Sequence, residues 1–139
     1  MSAGQKCILV VDDDQDLRHG LVLLFGKEYE IREACDGPSC LRALAESCPH
    51  LLLLDVAMPG MTGIEVLRSA RAARSNLRVL MLTAQADLEL ARQALDLGAS
   101  AYITKPFDFA ELRGEVKRLL EGPSREEEDH DYRPWRVTP

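Results

Sequence analysis

The sequence predicts an α/β domain, doubly wound on a five-stranded parallel sheet. Three observations carry that prediction. Short apolar runs recur along the chain with room for a helix between each pair. Most of these runs are apolar throughout, which suits strands covered on both faces. The chain has 139 residues, 46% hydrophobic and 29% charged. That is enough to close one core without staples, and too apolar for wholesale disorder.

Each element has its own signal. Ile8–Val11 reads as a buried strand. Leu17, Leu21, Leu24 and Phe25 fall at i, i+4, i+7 and i+8, one face of a helix. Tyr29–Ala34 alternates and reads as a second, more exposed strand. Pro38 suits a first helical turn, with Leu41, Leu44 and Ala45 as the apolar face behind it. Leu51–Leu54 is a third strand, and Met58-Pro59-Gly60 a turn in which Gly60 is free to take a positive φ. Thr62-Gly63-Ile64-Glu65 has the capping-box form and opens a helix carrying Leu67 and Ala70. Val79–Leu82 is the fourth strand. Leu88, Ala91 and Leu95 mark the next helix, with Gly98 as its left-handed stop. Ala101–Ile103 is a short fifth strand. Asp108 to Glu111 opens the last helix, which turns Leu112, Val116, Leu119 and Leu120 inward. Right-handed crossovers between such units make 2-1-3-4-5 a common strand order, with Val10 and Leu53 in central strands.

Composition excludes several functions. A formal net charge of −6 and a pI near 5.1 argue against wrapping nucleic acid or binding an anionic membrane. The amino terminus lacks a signal-peptide pattern, and no run approaches the ~20 apolar residues of a membrane span. A cytoplasmic protein is expected. Cys7, Cys35, Cys40 and Cys48 form no CxxC pair and accompany no histidine cluster, so free thiols are expected rather than a zinc site. No GxGxxG or GxxxxGK[ST] follows the first strand, so nucleotide or flavin binding of the usual kind is unsupported. Residues 121–139 hold six acids and three bases, and the run Glu126–Asp129 has no apolar partner. A flexible acidic tail over 122–139 is expected, with Trp135 in a frayed terminus.

Open α/β sheets bind ligands beyond the carboxyl ends of their strands. The first strand ends in Asp12 and Asp13, the third in Asp55, the fourth in Thr83 and the fifth in Lys105-Pro106. Three carboxylates, a hydroxyl and an ammonium should therefore meet at one rim. Clustered carboxylates repel each other unless a cation joins them, and a water-open cluster of oxygens favours Mg²⁺. A carboxylate can attack a phosphoryl group to form an acyl phosphate. Thr83 and Lys105 suit the charge on its equatorial oxygens. Asp14 and Asp16 fit better as caps at the positive end of the first helix.

The segments ILVVDDD, LLLLDVAMPGMTG, MLTA and AYITKPF stand in order over about residues 6–121. Together they resemble the receiver domain of bacterial two-component response regulators. The resemblance implies a (βα)5 flavodoxin-like receiver fold over 1–121, with no output domain, acting as a signalling switch and not as a turnover enzyme. It implies that Asp55 accepts a phosphoryl group from a sensor histidine kinase or a histidine phosphotransfer protein. Asp12, Asp13, Asp55 and the backbone carbonyl of Ala57 would hold Mg²⁺ or Mn²⁺. Thr83 and Lys105 would contact the phosphoryl group, and Tyr102 would turn inward as Thr83 moves. The Lys105–Pro106 peptide is expected to be cis. The surface of the fourth helix, fifth strand and fifth helix would then change its preference for an effector protein or for a second copy of the chain.

Two other readings stand beside this one. Phosphatases of the haloacid-dehalogenase group also use an aspartate nucleophile, Mg²⁺, Thr and Lys. Asp12-Asp13-Asp14-Gln15 lacks the Thr or Val that closes their DxDx(T/V) pattern. The other is a binding module indifferent to phosphate, although no acidic or lysine position of the motif is missing here. Ala57 and Ala84 give a hydrolytic water no side chain to hold. A phosphoryl lifetime of minutes or longer is expected, a barrier above ~20 kcal/mol. Met58, Met61 and Met81 are expected to serve packing. Arg68, Arg71 and Arg74 read as a solvated helix face, and His19, His50 and His130 as solvent-exposed.

Overall fold

The computed structural model describes residues 5–122. His130, Trp135 and the acidic run lie outside the described residues. Strands β1 (Cys7–Val11), β2 (Glu30–Ala34), β3 (Leu51–Asp55), β4 (Arg78–Ala84) and β5 (Ala101–Lys105) alternate with helices α1 (Gln15–Phe25), α2 (Gly37–Glu46), α3 (Gly63–Ala73), α4 (Leu88–Asp96) and α5 (Phe109–Glu121). All strand pairs are parallel, in the order β2-β1-β3-β4-β5. The expected fold class and strand order are both observed.

Side-chain alternation splits the core into two layers. Leu9, Val11, Leu52, Leu54, Val79 and Met81 point to one face, covered by α2, α3 and α4. Ile8, Val10, Leu51, Leu53, Leu80 and Leu82 point to the other, covered by α1 and α5. Both faces of β1 and β3 are fully buried, which is why those strands lack any polar alternation. Edge strand β2 is half-exposed, as its alternation predicts.

Local chemistry sets the helix starts. The Asp14 carboxylate caps α1 through the amides of Asp16 and Leu17. Thr62 and Glu65 close the capping box of α3. Gly60 and Gly98 take φ values of 78° and 105°. Two expectations need correction. The buried face of α2 is Cys40 and Leu44, with Leu41 only half-buried and Ala45 exposed. Pro38 stands in the first turn of that helix, as expected, behind an Asp36–Ser39 capping box that fixes its start. The arginines of α3 are not simply a solvated face. Arg71 donates to the Leu77 carbonyl at 2.6 Å and Arg74 to that of Leu44 at 3.2 Å, while Arg68 is exposed. His50 is exposed, as expected, but its Nδ1 accepts the Cys7 amide at 2.9 Å. A short 3-10 turn, Gln85–Asp87, also precedes α4. The methionines serve packing: Met58 and Met81 are buried and Met61 packs against the same layer.

Candidate functional site

The register brings the rim residues level. Val11 pairs with Leu54, so Asp12 follows beside Asp55, and Asp55 pairs with Leu82. Thr83 pairs with Thr104 and Ala84 with Lys105 on the next rungs. Alternation then sorts the side chains. Asp12, Asp55 and Lys105 continue the rows of Val10, Leu53 and Ile103, toward α1 and α5. Thr83 and Tyr102 continue the opposite row, and Tyr102 packs with Met81 on the α2–α3–α4 side.

One carboxylate oxygen each from Asp12, Asp13 and Asp55 lies within 4.8 Å of the others. Asp12 and Asp55 are buried and Asp13 is exposed. Lys105 Nζ donates to Asp12 Oδ2 at 2.9 Å and lies 3.6 Å from Asp55 Oδ1. The second Asp12 oxygen accepts the Asp14 amide at 2.9 Å, and Asp55 Oδ1 accepts the Ala57 amide at 3.3 Å. The Thr83 hydroxyl donates to the Ala84 carbonyl at 3.1 Å. The Lys105–Pro106 peptide is cis. Ala57 and Ala84 are exposed beside the carboxylates.

The electrostatics are uneven. Burial first, and the neighbouring Asp12 carboxylate second, push the Asp55 pKa up to about 6 against the pull of Lys105. Burial works against the Lys105 ammonium, but Asp12 and Asp55 together outweigh it and raise its pKa. One ammonium faces three carboxylates. A hard divalent cation would complete the charge balance, and an all-oxygen donor set open to water at Asp13 fits Mg²⁺ or Mn²⁺.

Two supporting residues escape a sequence reading. Arg18 Nη1 donates to the Asp12 carbonyl at 2.6 Å, and its Nε pairs with Glu33 at 3.2 Å. That fork holds the turn carrying the aspartates against β2. No spacing rule announces it, because the contact is to a backbone oxygen. Gly63 is the other. A Cβ there would stand 2.4 Å from the Asp55 carbonyl and 2.8 Å from Val56 Cα. Its amide instead donates to the Val56 carbonyl at 2.8 Å. A glycine at the first position of a well-capped helix was the available signal, since glycine is a poor helix former without another reason.

Comparison with known proteins agrees with this geometry. The chain is 39% identical over 114 residues to sporulation initiation phosphotransferase F of Bacillus subtilis (strain 168), covering 81% of this chain and 92% of that one. It is 37% identical over 122 residues to the regulatory protein AtoC of Escherichia coli (strain K12), covering 87% of this chain but 26% of that one. The crystal structure of the receiver domain of NtrX from Brucella abortus superposes with a TM-score of 0.79 at 33% identity, covering 84% and 99% of the two chains. A CheY-like receiver domain protein from Methanospirillum hungatei JF-1 gives 0.81 at 30% identity, covering 91% and 99%. A receiver domain is a phospho-acceptor and not a turnover enzyme, which sets aside the phosphatase reading. The sequence profile described as the response regulator receiver domain matches residues 8–117, and the chain belongs to that family.

Proposed function

We propose that this chain relays a signal by accepting a phosphoryl group on Asp55 from the phosphohistidine of a kinase or a histidine phosphotransfer protein. The observation that carries the reading is the placement of Asp55. It is a buried carboxylate at a strand end, beside two further carboxylates and 3.6 Å from an ammonium. A core gains nothing from such a group, since taking a carboxylate out of water costs several kcal/mol that a single shared ammonium only partly offsets.

An Asp55 oxygen attacks phosphorus and forms the O–P bond of an acyl phosphate. The N–P bond of the donor breaks, and the imidazole nitrogen keeps its electron pair and takes a proton from solvent. Asp12, Asp13 and Asp55, with the Ala57 carbonyl, are the residues that would hold Mg²⁺ or Mn²⁺. A divalent ion held there would supply Lewis-acid stabilisation of the negative charge on the phosphoryl group. Lys105 exchanges part of its contact with Asp12 for a phosphoryl oxygen. Thr83 rotates its hydroxyl from the Ala84 carbonyl toward the same group. Tyr102 shares the Thr83 face, so the space Thr83 vacates lies on its side of the sheet. The altered surface of α4, β5 and α5 then selects an effector protein or a second copy.

This reading takes residues 1–121 as the receiver and 122–139 as an acidic extension, in a cytoplasmic protein that touches neither DNA nor membrane directly. No helix among the described residues is long and apolar enough to cross a membrane. With small residues at Ala57 and Ala84, the acyl phosphate should last minutes or longer. The test is labelling with acetyl phosphate or a phosphohistidine donor in the presence of Mg²⁺, with the site identified by mass spectrometry. Wild type should carry phosphate on Asp55, chelation of divalent cations should suppress it, and Asp55→Asn should carry none. Full labelling of Asp55→Asn at another residue overturns the assignment.

A further inference from the structure

The three carboxylates of the site are not held alike. Asp12 is buried, with Lys105 Nζ at 2.9 Å from one oxygen and the Asp14 amide at 2.9 Å from the other. Asp55 is buried and accepts the Ala57 amide at 3.3 Å. The Asp13 carboxylate is exposed and takes part in no hydrogen bond or ion pair among the described residues. Its place is therefore set by its backbone, and Arg18 anchors that backbone. Early in α1, Arg18 donates from Nη1 to the Asp12 carbonyl at 2.6 Å. A peptide group is a rigid plane, so holding the Asp12 oxygen restrains the direction in which the chain leaves for Asp13. Arg18 is itself fixed. Its Nε bonds Glu33 Oε1 on β2 at 3.2 Å, and its side chain is only 13% exposed. The guanidinium fork thus ties the aspartate turn to the edge strand.

We infer that Arg18 is a positioning residue that makes the carboxylate site prefer Mg²⁺ over Ca²⁺. The inference rests on reading Asp12, Asp13 and Asp55 as a divalent-cation site. Two physical arguments carry it. The first is stringency. Mg²⁺ demands near-ideal octahedral geometry at ~2.0–2.1 Å, whereas Ca²⁺ accepts varied geometry at ~2.3–2.6 Å. A loosened Asp13 therefore costs the stricter ion more. The second is sign. Arg18 is a cation beside a cation site, so its charge by itself opposes the binding of either ion. Weaker binding after its removal can come only from lost geometry. Lysine is no substitute here, because a point ammonium reaches the Asp12 carbonyl or Glu33 but does not span both. Arg18 acts through the Asp12–Asp13 peptide and supplies no ligand atom of its own.

The test titrates Mg²⁺ and, separately, Ca²⁺ into the full chain with no phosphodonor present, following the amide NMR shifts of Asp13, Asp55 and Ala57. Arg18→Ala should lose about tenfold or more in Mg²⁺ affinity. It should lose clearly less for Ca²⁺, so the ratio of the two affinities falls. Arg18→Lys keeps the charge and should lower the ratio as well. Glu33→Gln changes a side chain that is 43% exposed on the edge strand. It releases only the outer half of the fork and should lower the ratio by a smaller factor. Urea unfolding in chelator shows whether each variant is folded, and Arg18→Lys and Glu33→Gln carry the test if Arg18→Ala is not. Equal losses for both ions assign Arg18 to the general stability of the turn and overturn the inference. Tighter binding of both ions by Arg18→Ala, with Arg18→Lys like wild type, reduces Arg18 to a charge and also overturns it. Wild type that binds neither ion removes the cation site itself, a failure distinct from wild-type binding that Arg18 leaves unchanged.

Discussion

Asp55 is where the residue scale is most demanding. Burial and the neighbouring Asp12 carboxylate push its pKa up to about 6 in the fold, against about 3.9 in an unfolded chain. The folded state therefore holds the Asp55 proton more tightly. The stability this lends is fully present below pH ~4 and is lost as pH rises through ~6. At neutral pH without a divalent cation, the ionised group costs about 2–3 kcal/mol. Asp55→Asn should then be more stable than wild type at pH 7.5 in chelator, with the gap closing at pH 4, as read by urea unfolding. The thiols make a second residue-scale case. Burial pushes the Cys40 thiol up to about 12, and it also raises Cys7. Cys35 and Cys48 are exposed. A thiol reagent followed by mass spectrometry should modify Cys35 and Cys48 in the native protein, and Cys7 and Cys40 only in denaturant. The aspartates and the lysine were legible as residue types at strand ends. Arg18 was not, because its partner is the Asp12 carbonyl and every residue offers one.

Elements show how close approach governs the site. The start of α3 lies against the end of β3, and only the missing side chain of Gly63 permits it. Gly63→Ala should cost about 1–3 kcal/mol by overpacking against backbone, which cannot rotate away. It should also slow labelling of Asp55, because the displaced segment is Asp55–Val56. Thr62→Ala, which removes the adjacent cap, should cost about 1 kcal/mol and leave the labelling rate near wild type. Urea unfolding and acetyl phosphate kinetics separate the two. Element boundaries also show the limit of periodicity. Capping boxes and terminal glycines were readable for α3 and α4. The rotation of α2 was misread, since Leu41 and Ala45 suit a helical face as well as Cys40 and Leu44 do. Packing against α3 and β2 chose between them.

At the scale of the whole molecule, stability and ligation are linked. A cation that binds only the folded state adds stability, about 2.7 kcal/mol at a hundred times its dissociation constant. Mg²⁺ should raise the melting temperature of wild type in a concentration-dependent way. Asp13→Asn should lose most of that response while melting near wild type in chelator, because Asp13 is exposed. The net charge of −6 takes on a spatial meaning here. Part of the acidity sits at one rim of the sheet, while cations gather at the opposite end. The amino-acid sequence by itself determined the five alternating units, their helix starts and the kinds of group at each strand end. Those depend on local periodicity, capping and turn chemistry, which act over a few residues. Only the tertiary structure decided that Lys105 meets Asp12 across 93 positions, that Thr83 and Tyr102 share a face, and that Arg18 braces the aspartates. Strand register and twist set those distances, and neither is a property of any short stretch of chain.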